Sequence, residues 1–334
     1  LETFGWNSVF FSILADRHPG CEAGRVATEN RGIVTLWTAS GELQTKLPPS
    51  WQHPLPVTGD WLAFDPHTQR LRALLPRQTQ VSRKRAGRAT VEQVLAANVD
   101  VLFLVSALDH DFNPRRIERY LLIAEQSGAQ PVVVLNKSDL CDDPLPVLAA
   151  VDAAAPGVAV VLLSAFDAAS LGPLHRYVEP GQTAVLLGSS GVGKSTIVNQ
   201  LLGSESQQTS AVREHDSRGR HTTTGRQLFL LPQGWLLIDT PGLRELEPWA
   251  DAEALNGAFA DIAELARDCR FRDCRHQGEP GCAVTGAVDP ARLANLHKLE
   301  REAEARNRMQ DVHAAREHKR KVKAIHKWAR DHHR

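Results

Sequence analysis

Two groups of residues in this chain are spaced for chemistry. The first is Gly188-Ser189-Ser190-Gly191-Val192-Gly193-Lys194-Ser195, a G-x-x-x-x-G-K-S loop between an apolar run and the helix-compatible stretch Thr196 to Leu202. Glycines let such a loop curl its amides toward phosphate oxygens, while Lys194 offers a mobile charge to the β and γ phosphates and Ser195 a hydroxyl to Mg²⁺. The second is Cys269-x4-Cys274-x-His276-x5-Cys282. Three thiolates and one imidazole within fourteen residues suit a closed, tetrahedral, structural zinc site that leaves no coordination position for water. Five cysteines is an odd number with this local cluster, which argues for metal ligation over a disulfide framework; Cys21 and Cys141 stand alone and read as small hydrophobes.

Further polar residues at the ends of apolar runs select the nucleotide. Asn136-Lys137-Ser138-Asp139 follows Pro131 to Leu135. A carboxylate such as Asp139 accepts from guanine N1–H and the 2-amino group together, a donor pair adenine lacks, and Asn136 can serve the O6 and N7 side. Ser164-Ala165 fits a supporting turn whose backbone amide meets guanine O6. Asp239-Thr240-Pro241-Gly242, after Trp235 to Ile238, suits the γ-phosphate end: Asp239 holds the metal through water and Gly242 offers its amide to the γ-phosphate. In the polar stretch 203–225, Gly219-Arg220-His221-Thr222-Thr223-Thr224 resembles a switch loop, with Thr222 or Thr223 as the second Mg²⁺ ligand. The residue after D-T-P-G is Leu243, where Ras-like enzymes carry a water-orienting Gln, and His221 is the nearest candidate to position water instead.

These loops need a sheet to hold them. From Val99 to Val105 onward the chain alternates apolar strands and helices: Asn113 and Pro114 start a helix whose Ile117, Tyr120, Leu121 and Ala124 share a face and which Gly128 ends. Pro131 to Leu135, Val158 to Leu163, Thr183 to Leu187 and Trp235 to Ile238 continue as buried strands of an α/β domain with a largely parallel sheet. Before it, Gly24 to Glu29, Gly32 to Thr38, Glu42 to Leu47, Gly59 to Phe64 and Arg70 to Leu75 read as five short strands of a small barrel. The region beyond residue 250 is helix-rich around the cysteine cluster. The expected division is 1–95 (barrel with an N-terminal extension), 96–248 (P-loop domain), 249–312 (zinc-binding helices) and 313–334 (basic arm).

Composition sets the frame. The 334 residues are 42% hydrophobic and 23% charged, which excludes collagen, long coiled coil and wholesale disorder, and their longest apolar runs are far too short for a membrane helix. Val9 to Leu14 lacks the cationic leader and cleavage site of a signal peptide, so the expected location is cytoplasmic. Net charge is zero, yet residues 313–334 hold eight Lys or Arg against Glu317 and Asp331, a local +6 that leaves −6 on the other 312 residues.

The order of the motifs is unusual: N-K-S-D (136) and S-A (164) precede the P-loop (188), the threonines (222) and D-T-P-G (239), so the domain reads as circularly permuted. A small barrel, a permuted GTPase with these signatures and C-x4-C-x-H-x5-C together resemble the bacterial ribosome small-subunit-dependent GTPase A family (RsgA or YjeQ), over roughly residues 20–310. The resemblance implies an OB-fold domain, a GTPase domain and a zinc domain that dock on the small ribosomal subunit during late maturation. It also implies slow GTP hydrolysis that the subunit accelerates; from the residues themselves the expected cofactors are Zn²⁺ and Mg²⁺ and the expected partner ribosomal RNA, with no membrane, and a monomer is expected. Two other readings stay open: an RNA-binding or scaffolding GTP switch with incidental hydrolysis, and an ATP-dependent RNA-modifying enzyme, against which Asp139 argues. For RNA contact the sequence offers Arg70, Arg72, Arg77, Arg83, Lys84, Arg85 and Arg88, the arm from Arg316 to Arg334, and Trp37 and Trp61 as stacking candidates that could equally be core.

Overall fold

The computed structural model describes residues 1–84, 92–211, 226–239, 252–305 and 308. The chain forms two compact units, 1–83 with 94–248, and 84–93 with 249–334.

The first unit opens with a 3-10 turn (Glu2–Phe4) and helix α1 (Ser8–Arg17), N-capped by the Asn7 side chain on the amides of Val9 and Phe10. Strands β1 (Glu22–Asn30), β2 (Ile33–Thr38), β3 (Gly41–Lys46), β4 (Trp61–Phe64) and β5 (Leu71–Leu74) follow, within a few residues of the sequence expectation. They pair antiparallel in the order β3-β2-β1-β4-β5, and Thr45 Oγ1 donates to Gln69 O at 3.3 Å across the open side. Val26, Leu36 and Leu62 fill the interior, while Phe10 of α1 packs with Trp61 on the other face. Trp61 is fully buried between Trp6, Phe10 and the Arg25 guanidinium, and Trp37 lies against Phe4. Trp61 is therefore core and not a base-stacking platform.

After the ribbon formed by β6 (Gln80–Lys84) and β7 (Glu92–Ala97) comes the α/β sheet. It contains β8 (Val101–Ala107), β9 (Gln130–Asn136), β10 (Ala159–Leu162), β11 (Thr183–Leu187), β12 (Gln227–Leu230) and β13 (Leu236–Asp239). The order is β10-β9-β8-β11-β13-β12, parallel except for β12. Every residue of β8 and β11 is buried, as central parallel strands covered on both faces require. Helix α2 (Pro114–Ser127) runs between the Asn113 and Gly128 caps read from the sequence; α3 (Leu145–Ala154) and α4 (Lys194–Ala211) follow, α4 being interrupted by non-helical backbone at Gly203. Strand β12 also meets β1 at Thr28↔Gln227, so the N-terminal strands and the α/β sheet share one path.

Arg25 fastens the same junction. Its side chain donates to Gly59 O (3.3 Å), Asn98 O (3.0 Å), Thr183 Oγ1 (2.7 Å) and Phe4 O, which ties β1 to the first residue of β11. Burial pulls its pKa down to about 10, with Asp100 and Asp60 opposing, so the guanidinium is still charged at neutral pH.

In the second unit, α5 (Ala252–Ala258), α6 (Ala260–Leu265) and a helix over 290–305 flank the cysteine loop. Buried Arg292 joins that helix to α6 through Asp261 (2.8 Å) and stacks over Phe259.

Candidate guanine-nucleotide and metal sites

Strand order fixes where a ligand can sit. The chain steps from β8 outward through β9 and β10, then returns to the other side of β8 with β11, so the switch point lies between β8 and β11. Ligands of open α/β sheets occupy the crevice beyond the carboxyl ends of the strands at such a point. Each nucleotide motif within the described residues leaves one of these carboxyl ends: Asn136–Asp139 from β9, Ser164–Ala165 beyond β10, Gly188–Ser195 from β11, and Asp239 as the last residue of β13.

Asn136 knots three of these loops together. It is 1% exposed; its Nδ2 donates to Val192 O (2.7 Å) in the P-loop and its Oδ1 accepts from Ala165 N (2.9 Å). The Asn136 side chain and the Ser164–Ala165 turn, both expected near the edge of guanine, are also bonded to each other in this arrangement. Gly193 follows from the same contact: at φ +94 a Cβ there would lie 2.1 Å from Asn136 Nδ2. A Cβ on Gly188 would fall 2.4 Å from Val105 O of β8, so the loop leaves its strand too close to its neighbour for any side chain.

Lys194, the first residue of α4, folds its Nζ back onto Gly188 O and Ser189 O, each at 2.6 Å, across the mouth of the loop. Ser190, Gly191 and Ser195 are exposed there, Thr196 is half-buried and Val192 is buried beneath. At the base end, Ser138 and Asp139 begin a 3-10 turn, and Asp139 is exposed, with its carboxylate accessible to a base. Lys137, at φ +65, is held by Asp109 at 2.7 Å, and that contact keeps the Asp109 carboxyl below its usual range. Ser164 is buried, its amide and carbonyl both bonded to Ser170 Oγ. His221, Thr222, Thr223 and Gly242 lie outside the described residues.

The loop 108–113 between β8 and α2 carries partners that motif reading missed. Leu108 N donates to Asn136 O (2.8 Å), Asp109 pairs with Lys137, and Asp111 with Arg116 reaches Ser189 of the P-loop. Its D-x-D pattern at a strand end was the available signal.

The second unit brings Cys269, Cys274, His276 and Cys282 together, their ligand atoms all within 4.8 Å of one another. Cys269 Sγ and Cys282 Sγ are 3.9 Å apart, and His276 Nδ1 lies 3.6 and 3.4 Å from them. Tetrahedral Zn–S bonds of about 2.3 Å give edges of about 3.8 Å, so the cluster fits zinc. Ala283 N points at Cys269 Sγ (3.4 Å), and the Thr285 hydroxyl and amide point at Cys282 Sγ (3.2 and 3.3 Å), a donor set that favours thiolates. The Thr285 hydroxyl leads in lowering the Cys282 thiol to about 6.

For RNA, the basic stretch is thinner than its composition. Arg77 is bound bidentately by buried Asp60 (2.8 Å to each oxygen) and Arg72 pairs with Asp65 at 2.6 Å, whereas Arg70 is exposed. Arg85, Arg88 and the arm lie outside the described residues. Among the described residues no helix is long and apolar enough to cross a membrane.

Fold and site together define a circularly permuted P-loop GTPase carrying a Cys₃His cluster. Residues 74–249 match the RsgA GTPase family. The chain is 46% identical over 313 residues to the small ribosomal subunit biogenesis GTPase RsgA of Xanthomonas oryzae pv. oryzae (strain PXO99A), covering 89% of this chain and 84% of that protein. It is 45% identical over 316 residues to the protein of that name from Xanthomonas axonopodis pv. citri, covering 90% and 85%. Among solved structures, YjeQ from Thermotoga maritima superposes with a TM-score of 0.64 at 25% identity, over 85% of this chain and 98% of that one. YloQ, a circularly permuted GTPase, matches in fold with a TM-score of 0.64 at 23% identity, over 87% and 98%. The chain belongs to the RsgA GTPase family.

Proposed function

We propose that this protein binds GTP with Mg²⁺, hydrolyses it to GDP and phosphate, and does so on the small ribosomal subunit late in its assembly, where contact with the subunit accelerates turnover. The observation that carries this is the convergence of the four guanine-nucleotide loops at one end of the parallel sheet, in a chain whose relatives are small-subunit biogenesis GTPases. Asp139 reads guanine; the amides of 188–195 and Lys194 hold the phosphates; Ser195, Thr222 or Thr223 and Asp239 hold Mg²⁺; Gly242 meets the γ-phosphate and His221 positions water. Asn136 and Ala165 act chiefly by joining the base loops to the P-loop. Zinc at the Cys₃His cluster is structural, one ion per chain. The partner surface includes ribosomal RNA, met by exposed arginines such as Arg70 and by the basic arm, and the protein works as a cytoplasmic monomer.

Turnover of GTP measured with and without purified small subunits tests the reading. The expected result is slow hydrolysis alone and a rate at least about tenfold higher with subunits, with ATP not hydrolysed. A rate indifferent to subunits leaves only the GTP switch.

A further inference from the structure

Arg116 occupies an unusual place. It lies in the first turn of α2, a turn that begins Pro114-Arg115-Arg116 and itself holds no acidic residue, so two cations stand at the positive end of a helix. Arg115 is answered by Glu118, which is 1% exposed. Arg116 instead reaches away from its helix to the phosphate loop: its Nη1 donates to Ser189 Oγ at 2.8 Å and to Asp111 Oδ2 at 2.7 Å, and its Nη2 to Asp111 Oδ1 at 3.2 Å. Ser189 Oγ closes the triangle on Asp111 at 3.4 Å. Asp111 and Arg116 are both open to solvent, with side chains 47% and 29% exposed, so the pair sits where it can separate. The carboxylate is held below its usual range and the guanidinium above, each by the other.

The chain also lacks a glutamine after D-T-P-G, having Leu243, and in several GTPase classes an arginine, supplied in cis or in trans, adds positive charge on the transferring phosphoryl group. We propose that Arg116 is this protein's built-in arginine for phosphoryl transfer, parked on Asp111 beside Ser189 and transferred to the γ-phosphate when GTP fills the loop. The γ-phosphate replaces one bidentate carboxylate partner with another anion of matching geometry. The oxygen of water bonds to the γ-phosphorus as the bond from that phosphorus to the β–γ bridging oxygen breaks; GDP leaves with the bond's electrons, the water's proton passes to the released phosphate, and the charge moving onto the bridging and equatorial oxygens is what the guanidinium stabilises. This rests on the GTPase activity of the family.

Single-turnover hydrolysis of bound GTP tests it in three proteins. Arg116→Ala is expected to slow hydrolysis about a hundredfold or more while GDP affinity changes less than about threefold, and to abolish binding of GDP with aluminium fluoride, which mimics the transferring group. Asp111→Asn, which frees the arginine, is expected to speed hydrolysis by about two- to tenfold. The opposite signs are the signature, because a pair that merely braced Ser189 would make both variants slower. Arg116→Ala hydrolysing at the wild-type rate, or both variants slowed alike, overturns the proposal. A wild-type protein without turnover overturns the GTPase reading and this proposal with it.

Discussion

At the scale of single residues, the site divides into groups that face the nucleotide and groups that hold those groups still. In the proposed reading Asp139 is of the first kind. It is exposed at a tight turn, and a site built on a donor–acceptor pair rejects the partner that lacks it by orders of magnitude. Asp139→Asn is therefore expected to weaken GTP and strengthen xanthosine triphosphate, since xanthine presents an acceptor where guanine has its 2-amino donor; competition titrations of the two nucleotides check it. Asn136 is of the second kind. Truncating it leaves Val192 O and Ala165 N, both in buried residues, without their partner. Asn136→Ala is expected to destabilise the protein by about 2–4 kcal/mol, measured by urea unfolding without nucleotide, and to weaken GTP and GDP equally. The sequence made the identity of these residues legible, because N-K-x-D and G-K-S carry their chemistry in their types. It could not display that the Asn136 amide turns inward, since that depends on where β9, β10 and β11 lie relative to one another. Asp109, Asp111 and Arg116 stayed hidden for the same reason: their partners Lys137 and Ser189 are 28 to 78 positions away in the chain.

At the scale of elements, α2 with its Asn113 and Gly128 caps and the strand β11 are where the sequence placed them, because each is set by local signals: a cap pair, a buried apolar run. Helix α1, the β6–β7 ribbon and the β1–β12 bridge were not legible. Each is held by long-range packing, and Arg25 shows how. One fully buried guanidinium gathers carbonyls of Phe4, Gly59 and Asn98 and the Thr183 hydroxyl, positions spread over some 180 residues. Arg25→Met keeps the length and removes the donors, and is expected to lower stability by about 2–4 kcal/mol while leaving GDP affinity nearly intact, because Thr183 is at the opposite end of β11 from the phosphate loop. Arg25→Lys is expected to recover little, since one ammonium cannot span the fan. Parallel unfolding and GDP titrations check both. The cysteine loop calls for a different kind of tie: its four candidate ligands come from a segment with little regular structure, so a bound zinc is expected to supply much of its folding free energy. Metal analysis is expected to find one zinc per chain, and Cys274→Ser is expected to lose it together with the protease resistance of residues 252–305.

At the scale of the whole molecule, charge is the property that neither motif nor fold accounts for. A chain with zero net charge concentrates +6 in its last 22 residues and carries −6 over the rest. Among the described arginines of the N-terminal strands, Arg77 and Arg72 face Asp60 and Asp65 and Arg25 is sealed in the junction, while Arg70 is exposed. With its local charge of +6, the arm is expected to carry a large part of any electrostatic attraction to ribosomal RNA. If its partners are phosphates, as proposed, each releases counterions when neutralised, and the arm is expected to act on affinity in a salt-dependent way without altering the chemistry of the GTP site. Deleting residues 313–334 is expected to weaken binding to purified small subunits and to flatten the plot of log affinity against log salt by about 0.7–0.9 for every phosphate that the arm would neutralise. GTP turnover without subunits is expected to stay unchanged. A titration at several salt concentrations, run with GTP-bound and GDP-bound protein, measures both effects; the GTP form is expected to bind more tightly, because the chain runs from Asp239–Gly242 directly into the zinc-binding segment. An unaltered slope in the truncated protein would assign the phosphate-binding role to the folded units instead of the arm.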